Sequence, residues 1–508
     1  MSTAKCYSAH LVGLSIEIIE VEVDISIGLN AVSIVGLGDR SVEEAKDRVS
    51  AAIKNSGYVS PKQKNQKVVI SLAPADVRKE GPAFDLAIAM SYLSAAGEML
   101  FNVEETLFLG ELSLDGKVRK VAGVLPILCQ AAKKGWGRAL VSIENSEECS
   151  VVEGMDVFAV SSLAEAIAFM GKRIDLEAFK RGGHAKTSEQ KEHLDMNAIR
   201  GNEAAKRGLE IAAAGGHNVL MFGPPGTGKT MLAQSFPSLL PPLSQEESIE
   251  VTGIYSVARA LDKGLMRYPP FRAPHHTASY PAIVGGGAIP KPGEITLAHR
   301  GVLFLDEFPE FSREVIEALR QPLEDHEITI SRAKGTVTFP AQSILIASMN
   351  PCPCGKPRGK GCECKDHVIK AYRRRVSAPI MDRIDIWVNV NKVDYEKLAA
   401  KAPTGEPSSV IATRVEKARS KQKARFSRAG LQKFTNSELS AKDIEALCHL
   451  TDEARATLSR AAQKLELSGR AFHRMIKVAR TIADLAGREA TIETDMLEAL
   501  QYRQNMDL

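Results

Sequence analysis

The run Gly223-Pro224-Pro225-Gly226-Thr227-Gly228-Lys229-Thr230 has the glycine, lysine and hydroxyl spacing of a phosphate-cradling loop. Its glycines let backbone N–H groups turn inward around phosphate oxygens, Lys229 reaches the β- and γ-phosphates, and the Thr230 hydroxyl is a ligand for Mg²⁺. A second run, Gly301-Val302-Leu303-Phe304-Leu305-Asp306-Glu307, is apolar until it ends in two acids. There Asp306 is placed to hold the Mg²⁺ and Glu307 to orient or deprotonate an attacking water. A third apolar run, Ser343 to Ser348, leads to Asn350, a polar group suited to sensing the γ-phosphate. The expected substrate is ATP with Mg²⁺, and the expected chemistry is hydrolysis.

These groups must be carried by buried parallel strands. His217 to Phe222 reads as the strand before the phosphate loop and Met231 to Phe236 as the helix after it. Met196 to Gly216 reads as one helix, with Ala204, Ala205, Leu209 and Ala212 on its apolar face. An α/β P-loop NTPase core over 196–398 follows.

Length and composition bound the rest. A chain of 508 residues calls for about three domains. Its 44% apolar and 25% charged content is ordinary for a globular protein, and a net charge of +4 gives no whole-chain signal for nucleic acid. No apolar run approaches the ~18 residues that cross a bilayer, and the first residues lack a leader pattern; a cytoplasmic protein with no membrane partner is expected. Of eight cysteines, Cys6, Cys129, Cys149 and Cys448 are scattered, whereas Cys352, Cys354, Cys362 and Cys364 crowd together. Four thiolates at that spacing could close on a structural Zn²⁺, with His367 as a substitute ligand and reduced free thiols as the alternative.

Residues 1–175 mix strands (Ala31 to Val35, Lys67 to Leu72) with helices (Val42 to Ser56, Phe84 to Ala96), an α+β domain. Linkers are expected at 176–195 and 399–409, and a helical segment over 410–508. Within the last, the helix Val410 to Arg428 carries Arg414, Lys417, Arg419, Lys421, Lys423, Arg425 and Arg428. That face could track phosphates or be solvated. A later helix, Arg470 to Ala486, sets Phe472, Met475, Ile476, Ala479 and Ile482 on one side and Arg470, Arg474 and Lys477 on the other. Thr491 or Thr494 is the expected cap of the last helix. Two insertions interrupt the core. One contains Phe271 to His276, a glycine run at 284–288 and Lys291 to Glu294; the other, Glu327 to Phe339, alternates about Lys334-Gly335 as a β-hairpin.

Several of these stretches resemble known families. Ser377 to Asp385 looks like the arginine-finger segment of AAA+ proteins, which implies that Arg383 reaches the ATP of a neighbouring subunit in a ring. Arg470 would touch nucleotide in its own chain as sensor 2. Ile34 to Asp39, Lys79 to Pro82 and Gly110 to Val118 resemble the proteolytic domain of Lon proteases and its relative in RadA. Where Lon has its serine this chain has Ala83, and its lysine position falls at Pro126, so the resemblance implies the fold without peptidase activity. Hairpins in both insertions resemble the clade of magnesium-chelatase I subunits and MCM helicases; in the helicases of that clade they project into the ring pore and grip DNA, which makes Arg332, Lys334 and Lys291 the candidate contacts.

FRAPHHTAS, KPGEITLAHRGVLFLDE, ASMNPCPCG and VARTIADL are similar to signatures of the ComM/YifB family of magnesium-chelatase-like AAA+ proteins. That resemblance spans essentially the whole chain. It implies a hexameric ATP-driven motor that promotes branch migration of single-stranded or branched DNA in recombination and natural transformation, with 410–508 as the helical lid. A protein remodeller or chelatase-type motor is the alternative, and a non-hydrolysing scaffold is disfavoured by the complete set Lys229, Asp306, Glu307, Asn350 and Arg383.

Overall fold

The computed structural model describes residues 2–503 apart from 78, 80, 100, 180–192, 262–263, 288–289, 333–334, 357–360 and 394–404; at Ser2, Arg332 and Gly335 it describes the backbone alone. Lys334 and most of the two expected linkers therefore lie outside the described residues. The chain divides into two compact units, Met1–Glu189 with Ser244–Arg267, and Gln190–Leu243 with Tyr268–Leu508.

The first unit is built on a seven-stranded mixed sheet. Its order is Ala31–Val35, Gln66–Ala73, Ser15–Ile27, Ser2–Val12, Thr106–Leu109, Arg138–Ser142 and Asp156–Val160. The last four strands run parallel and the long Ser2–Val12 and Ser15–Ile27 pair is antiparallel. Alternate side chains leave opposite faces of a strand, so Leu107 and Leu109 enter one apolar cluster and Phe108 the other. Helices Arg40–Asn55 and Asp85–Ala95 lie within a residue or two of their expected spans, the latter entered through a 3₁₀ turn at Pro82–Phe84.

The helix Gln245–Val257 falls within the 196–398 span expected to form one continuous core, yet it packs with the first unit. A capping box between Ser244 and Glu247 starts it. Its Gly253 faces Pro126, and its Ser256 hydroxyl accepts from Gly123 N at 3.0 Å and donates to Glu148 at 2.8 Å. The Pro126 ring thus serves packing, and Ala83 offers only a methyl group.

The second unit holds a five-stranded parallel sheet in the order Phe271–Arg272, Val302–Leu305, Ile344–Met349, Val219–Phe222, Ile386–Asn389. Ile344–Met349 is buried along its whole length, as a strand covered on both faces requires. The expected helix over Met196 to Gly216 is instead a 3₁₀ turn, Met196–Ala198, and a helix, Glu203–Gly215. Asn202 takes a left-handed conformation (φ 55°), which breaks the helical run, and its side chain bridges to Asn391. After the phosphate loop the helix is Lys229–Ser235, tightening to a 3₁₀ turn over Phe236–Leu239.

The C-terminal helices share the apolar core of this sheet, with Val415, Phe426, Val478 and Ile482 in one cluster with Leu209, Met221 and Ile346. The basic helix Ser408–Arg428 spends part of its charge inward: Arg414 pairs with Glu210 and Glu406, Arg419 donates to the Ala213 carbonyl, and Arg425 pairs with Asp484. Lys417, Lys421, Lys423 and Arg428 remain exposed. In the row Arg470, Arg474 and Lys477 only Arg470 is exposed. Arg474 is buried and donates to the Ile384 carbonyl, and Lys477 donates to the Ser437 carbonyl at 2.7 Å, with burial lowering its pKa. Neither expected threonine caps the last helix, which begins at Glu493 after Ile492; Asp495 accepts from the Ile492 N–H there. Among the described residues no helix is long and apolar enough to cross a membrane.

Candidate active site

Parallel pairing brings the C-terminal ends of three adjacent strands together, and each ends in one of the groups singled out by type. Phe222 lies opposite Met349, so the phosphate loop leaves the sheet beside Asn350, and Leu305 opposite Ala347 sets Asp306 beside Ser348. A crevice beyond the carboxyl ends of parallel strands is the usual ligand position in an open α/β sheet.

Two glycines of the loop are required for different reasons. Gly228 sits at φ 93°, a left-handed conformation that side chains avoid. A Cβ on Gly223 would collide with the Val390 carbonyl oxygen, so close approach dictates glycine there. The loop is stapled internally by Thr227, whose hydroxyl donates to the Pro224 carbonyl at 2.9 Å.

Lys229 is buried under the loop. Its ammonium donates to the carbonyls of Gly223 and Pro224 at 2.7 and 2.8 Å and to Asn350 Oδ1 at 3.0 Å. Burial lowers its pKa, opposed by the charges of Asp306 and Glu307. The Thr230 hydroxyl donates to Asp306 Oδ2 at 2.9 Å. A hydroxyl and a carboxylate oxygen at that separation, beside the ammonium, form an oxygen-donor set that fits Mg²⁺, a hard cation bound through one or two carboxylates and phosphate oxygens.

Glu307 adopts φ 51°, a left-handed turn that aims its carboxylate away from the strand. Its N–H donates to Asp306 Oδ1 at 3.0 Å and to Ser348 Oγ at 3.1 Å, and Ser348 in turn donates to Asp306 Oδ1. Ser348 therefore fixes both acids, a role that only the strand register reveals. His276 Nδ1 lies 3.6 Å from Glu307 Oε2. The Phe271 to His276 stretch stood out in the sequence as an insertion without a role for the histidine, because its partner is 31 positions away by the numbering.

These groups line one cleft of about 1160 Å³. It is lined by Lys229, Thr230, Asp306, Glu307 and Asn350 together with Ala198, Ile199 and Val393, beside which stand Arg200 and Lys392. The arrangement suits a nucleotide triphosphate held by backbone amides and one ammonium, with a carboxylate placed for water.

Arg383 and Arg470 do not line this cleft. Both reach Glu324 instead: Arg383 through Nη2, and Arg470 with Nη2 3.4 Å from Glu324 Oε1. The Arg470 guanidinium, expected to touch nucleotide in its own chain, here faces a carboxylate elsewhere on the same unit.

The hairpin insertion forms as Glu327–Arg332 paired with Gly335–Pro340, Arg332 opposite Gly335. Lys291 is exposed on a shorter pair, Lys291–Pro292 with Gly285–Gly286. The four clustered thiols have their sulfurs within 4.8 Å of one another. Zn–S bonds of ~2.3 Å in a tetrahedron imply S···S edges of ~3.8 Å. Cys352 to Cys362, Cys352 to Cys364 and Cys354 to Cys362 stand at 3.4, 3.9 and 3.6 Å, so the donor set fits zinc, and the 2.8 Å Cys352–Cys354 contact would have to open to hold it. His367, exposed on the helix Asp366–Arg373, is not part of the group.

Family models for the magnesium chelatase subunit ChlI match residues 195–398 and 21–145, and the model of that subunit's C-terminal part matches 405–503. Competence protein ComM of Haemophilus influenzae is 41% identical over 507 residues, covering 99% of this chain and 98% of its own. Protein YifB of Escherichia coli is 40% identical, with 99% and 97% covered. The DNA repair protein RadA of Bacillus subtilis is 32% identical over 103 residues, 20% of this chain and 22% of its own.

Proposed function

The chain belongs to the ComM/YifB family of magnesium-chelatase-like AAA+ proteins, and from that membership we propose that it is an ATP-hydrolysing motor that acts on DNA in recombination. The observation that carries the ATPase reading is the single cleft in which Lys229 meets Asn350 while Thr230 meets Asp306. ATP would lie with its base toward Ile199 and Val393 and its phosphates in the loop. Lys229 would turn from the Gly223 and Pro224 carbonyls to the β- and γ-phosphates, and Asn350 would hold both Lys229 and the γ-phosphate. Thr230 and Asp306 would hold Mg²⁺, which supplies charge neutralisation at the phosphates. Glu307, placed by Ser348 and facing His276, would orient the water and accept its proton.

Arg383, absent from its own chain's cleft, would serve the ATP of a neighbouring copy, which calls for a ring; a hexamer follows the family resemblance. DNA is supported as substrate by the names of two relatives, a competence protein and a DNA repair protein, and by the hairpin insertion Glu327–Arg332 with Gly335–Pro340; Arg332, Lys334 and Lys291 would be its contacts. Branch migration, the 1–175 domain as a Lon-like fold without its serine and lysine, 410–508 as a lid, and structural zinc on the four cysteines complete the reading.

ATP hydrolysis by the purified protein, alone and with single-stranded, duplex and branched DNA, tests it beside a Glu307→Gln control. Stimulation by DNA that the control abolishes supports the motor; a rate indifferent to every DNA points to a remodeller acting on a protein partner.

A further inference from the structure

Glu324 lies on a six-residue helix, Arg320–Asp325, immediately before the hairpin. Its two carboxylate oxygens are divided between two guanidiniums from distant parts of the chain: Oε2 faces Arg383, before the last strand of the sheet, and Oε1 faces Arg470, at the start of the helix Gly469–Leu485. Two arginines so close would repel without the shared anion, and Arg383 beside Glu324 holds its carboxyl below the usual range. The backbone of Arg383 is set separately, since Asn218 Nδ2 donates to its carbonyl at 3.0 Å where the strand Val219–Phe222 begins. The guanidinium is held from two sides, Nη1 donating to the Pro379 carbonyl and Nη2 to Glu324, so Glu324 sets the direction of its free edge.

The same short helix grips the hairpin. Gln321, one turn before Glu324 and on the same face, donates through Nε2 to Thr329 Oγ1 and accepts from Thr329 N through Oε1, both at 3.1 Å. Thr329 meets Thr338 across the hairpin at 3.2 Å. At the base of the hairpin Ala341 N donates to the carbonyl of His326, the residue that ends the helix, at 2.8 Å. A tilt of the hairpin therefore cannot leave the helix behind, and a turn of the helix moves the carboxylate that both arginines follow.

We propose that Glu324 is a positioning residue that transmits the state of the hairpin to Arg383 and Arg470. The inference rests on the motor reading above, in which Arg383 serves a neighbour's ATP. Loading of the hairpin rotates Arg320–Asp325, and the arginines are presented to or withheld from the adjoining cleft accordingly. Gln321 carries the mechanical half of the link and Glu324 the electrostatic half.

Two variants of the full chain separate the halves, each assayed for kcat and KM of ATP hydrolysis with and without branched DNA, and for melting temperature. Glu324→Gln should lower kcat about tenfold with and without DNA while leaving KM and melting temperature unchanged, because an arginine acting on transition-state charge does not contribute to ground-state binding. Glu324→Asp should recover part of the loss. Gln321→Ala should keep the basal kcat and lose the stimulation by DNA. Unaltered kcat and stimulation in both variants would overturn the proposal, as would a kcat loss accompanied by an equal loss of melting temperature in Glu324→Gln, which marks a merely structural carboxylate. Failure of the motor reading has its own signature, a wild-type rate that no DNA changes.

Discussion

The ammonium of Lys229 stands 3.0 Å from Oδ1 of Asn350, tying the phosphate loop to the end of a neighbouring strand. The two residues are 121 positions apart in sequence, and the strand register of Phe222 with Met349 makes them adjacent. Asn350→Ala should lower kcat about 10²-fold, the typical loss of one preorganised polar group at a transition state, and leave ATP affinity within about twofold. Lys229→Ala should lose nucleotide binding itself. Steady-state kinetics beside nucleotide titration reads the difference.

Ser348 holds Asp306 and Glu307 in place without reaching substrate. Ser348→Ala should reduce kcat by about tenfold at unchanged protein stability, since the acids remain but lose a fixed donor and acceptor. A thermal melt alongside the assay distinguishes this from loss of fold.

Zinc should purify with the protein at one per chain and be lost in Cys362→Ser. Gly355, inside the cysteine loop, lies against Pro225 of the phosphate loop, so a Cβ there would press on the proline ring at 2.9 Å. Chelation should therefore raise KM for ATP as well as lower the melting temperature; elemental analysis with ATP kinetics before and after chelation measures both.

Asp484 is 2% exposed and accepts from Arg425 at 2.9 and 2.7 Å, from Arg480 at 2.7 Å and from Asn436 at 2.9 Å. Asp484→Ala would strand the buried Arg480 guanidinium and should cost about 3–5 kcal/mol, the typical penalty for breaking a buried charge pair from one side. Chemical denaturation measures it.

The Glu324 link should be insensitive to pH across the neutral range. Its carboxyl is held low by hydrogen bonding to Arg383, so the interaction is fully present above the ordinary carboxylate range and fades only as pH falls through the lowered value. The kcat ratio of wild type to Glu324→Gln should stay constant between about pH 6 and 8.

Chemistry concentrated in short runs was legible in the sequence by itself. The loop from Gly223 to Thr230, the Asp306-Glu307 pair, Asn350 and the four cysteines stand out through residue type and spacing, because a loop suited to wrap phosphate or a strand that ends in acids is specified by contiguous residues; the structure brings the first three into one cleft and the four thiols together. Half-buried strands and amphipathic helices followed from their patterns, as Gln66–Ala73 and Arg40–Asn55 illustrate. What each charged side chain does when its partner lies far along the chain was decided only by the tertiary structure. Arg474 and Lys477 have the spacing of an exposed face, yet Arg474 is buried and Lys477 half-buried, and two of the basic helix's seven cations, Arg414 and Arg425, are taken up by Glu210, Glu406 and Asp484. Ser348 and His276 acquire roles only through register and packing against Asp306 and Glu307. Glu324 looks in sequence like any acid near the end of a short helix. It becomes the meeting point of Arg383, 59 positions away, and Arg470, 146 away, because electrostatic attraction acts across space while sequence patterns record only local periodicity.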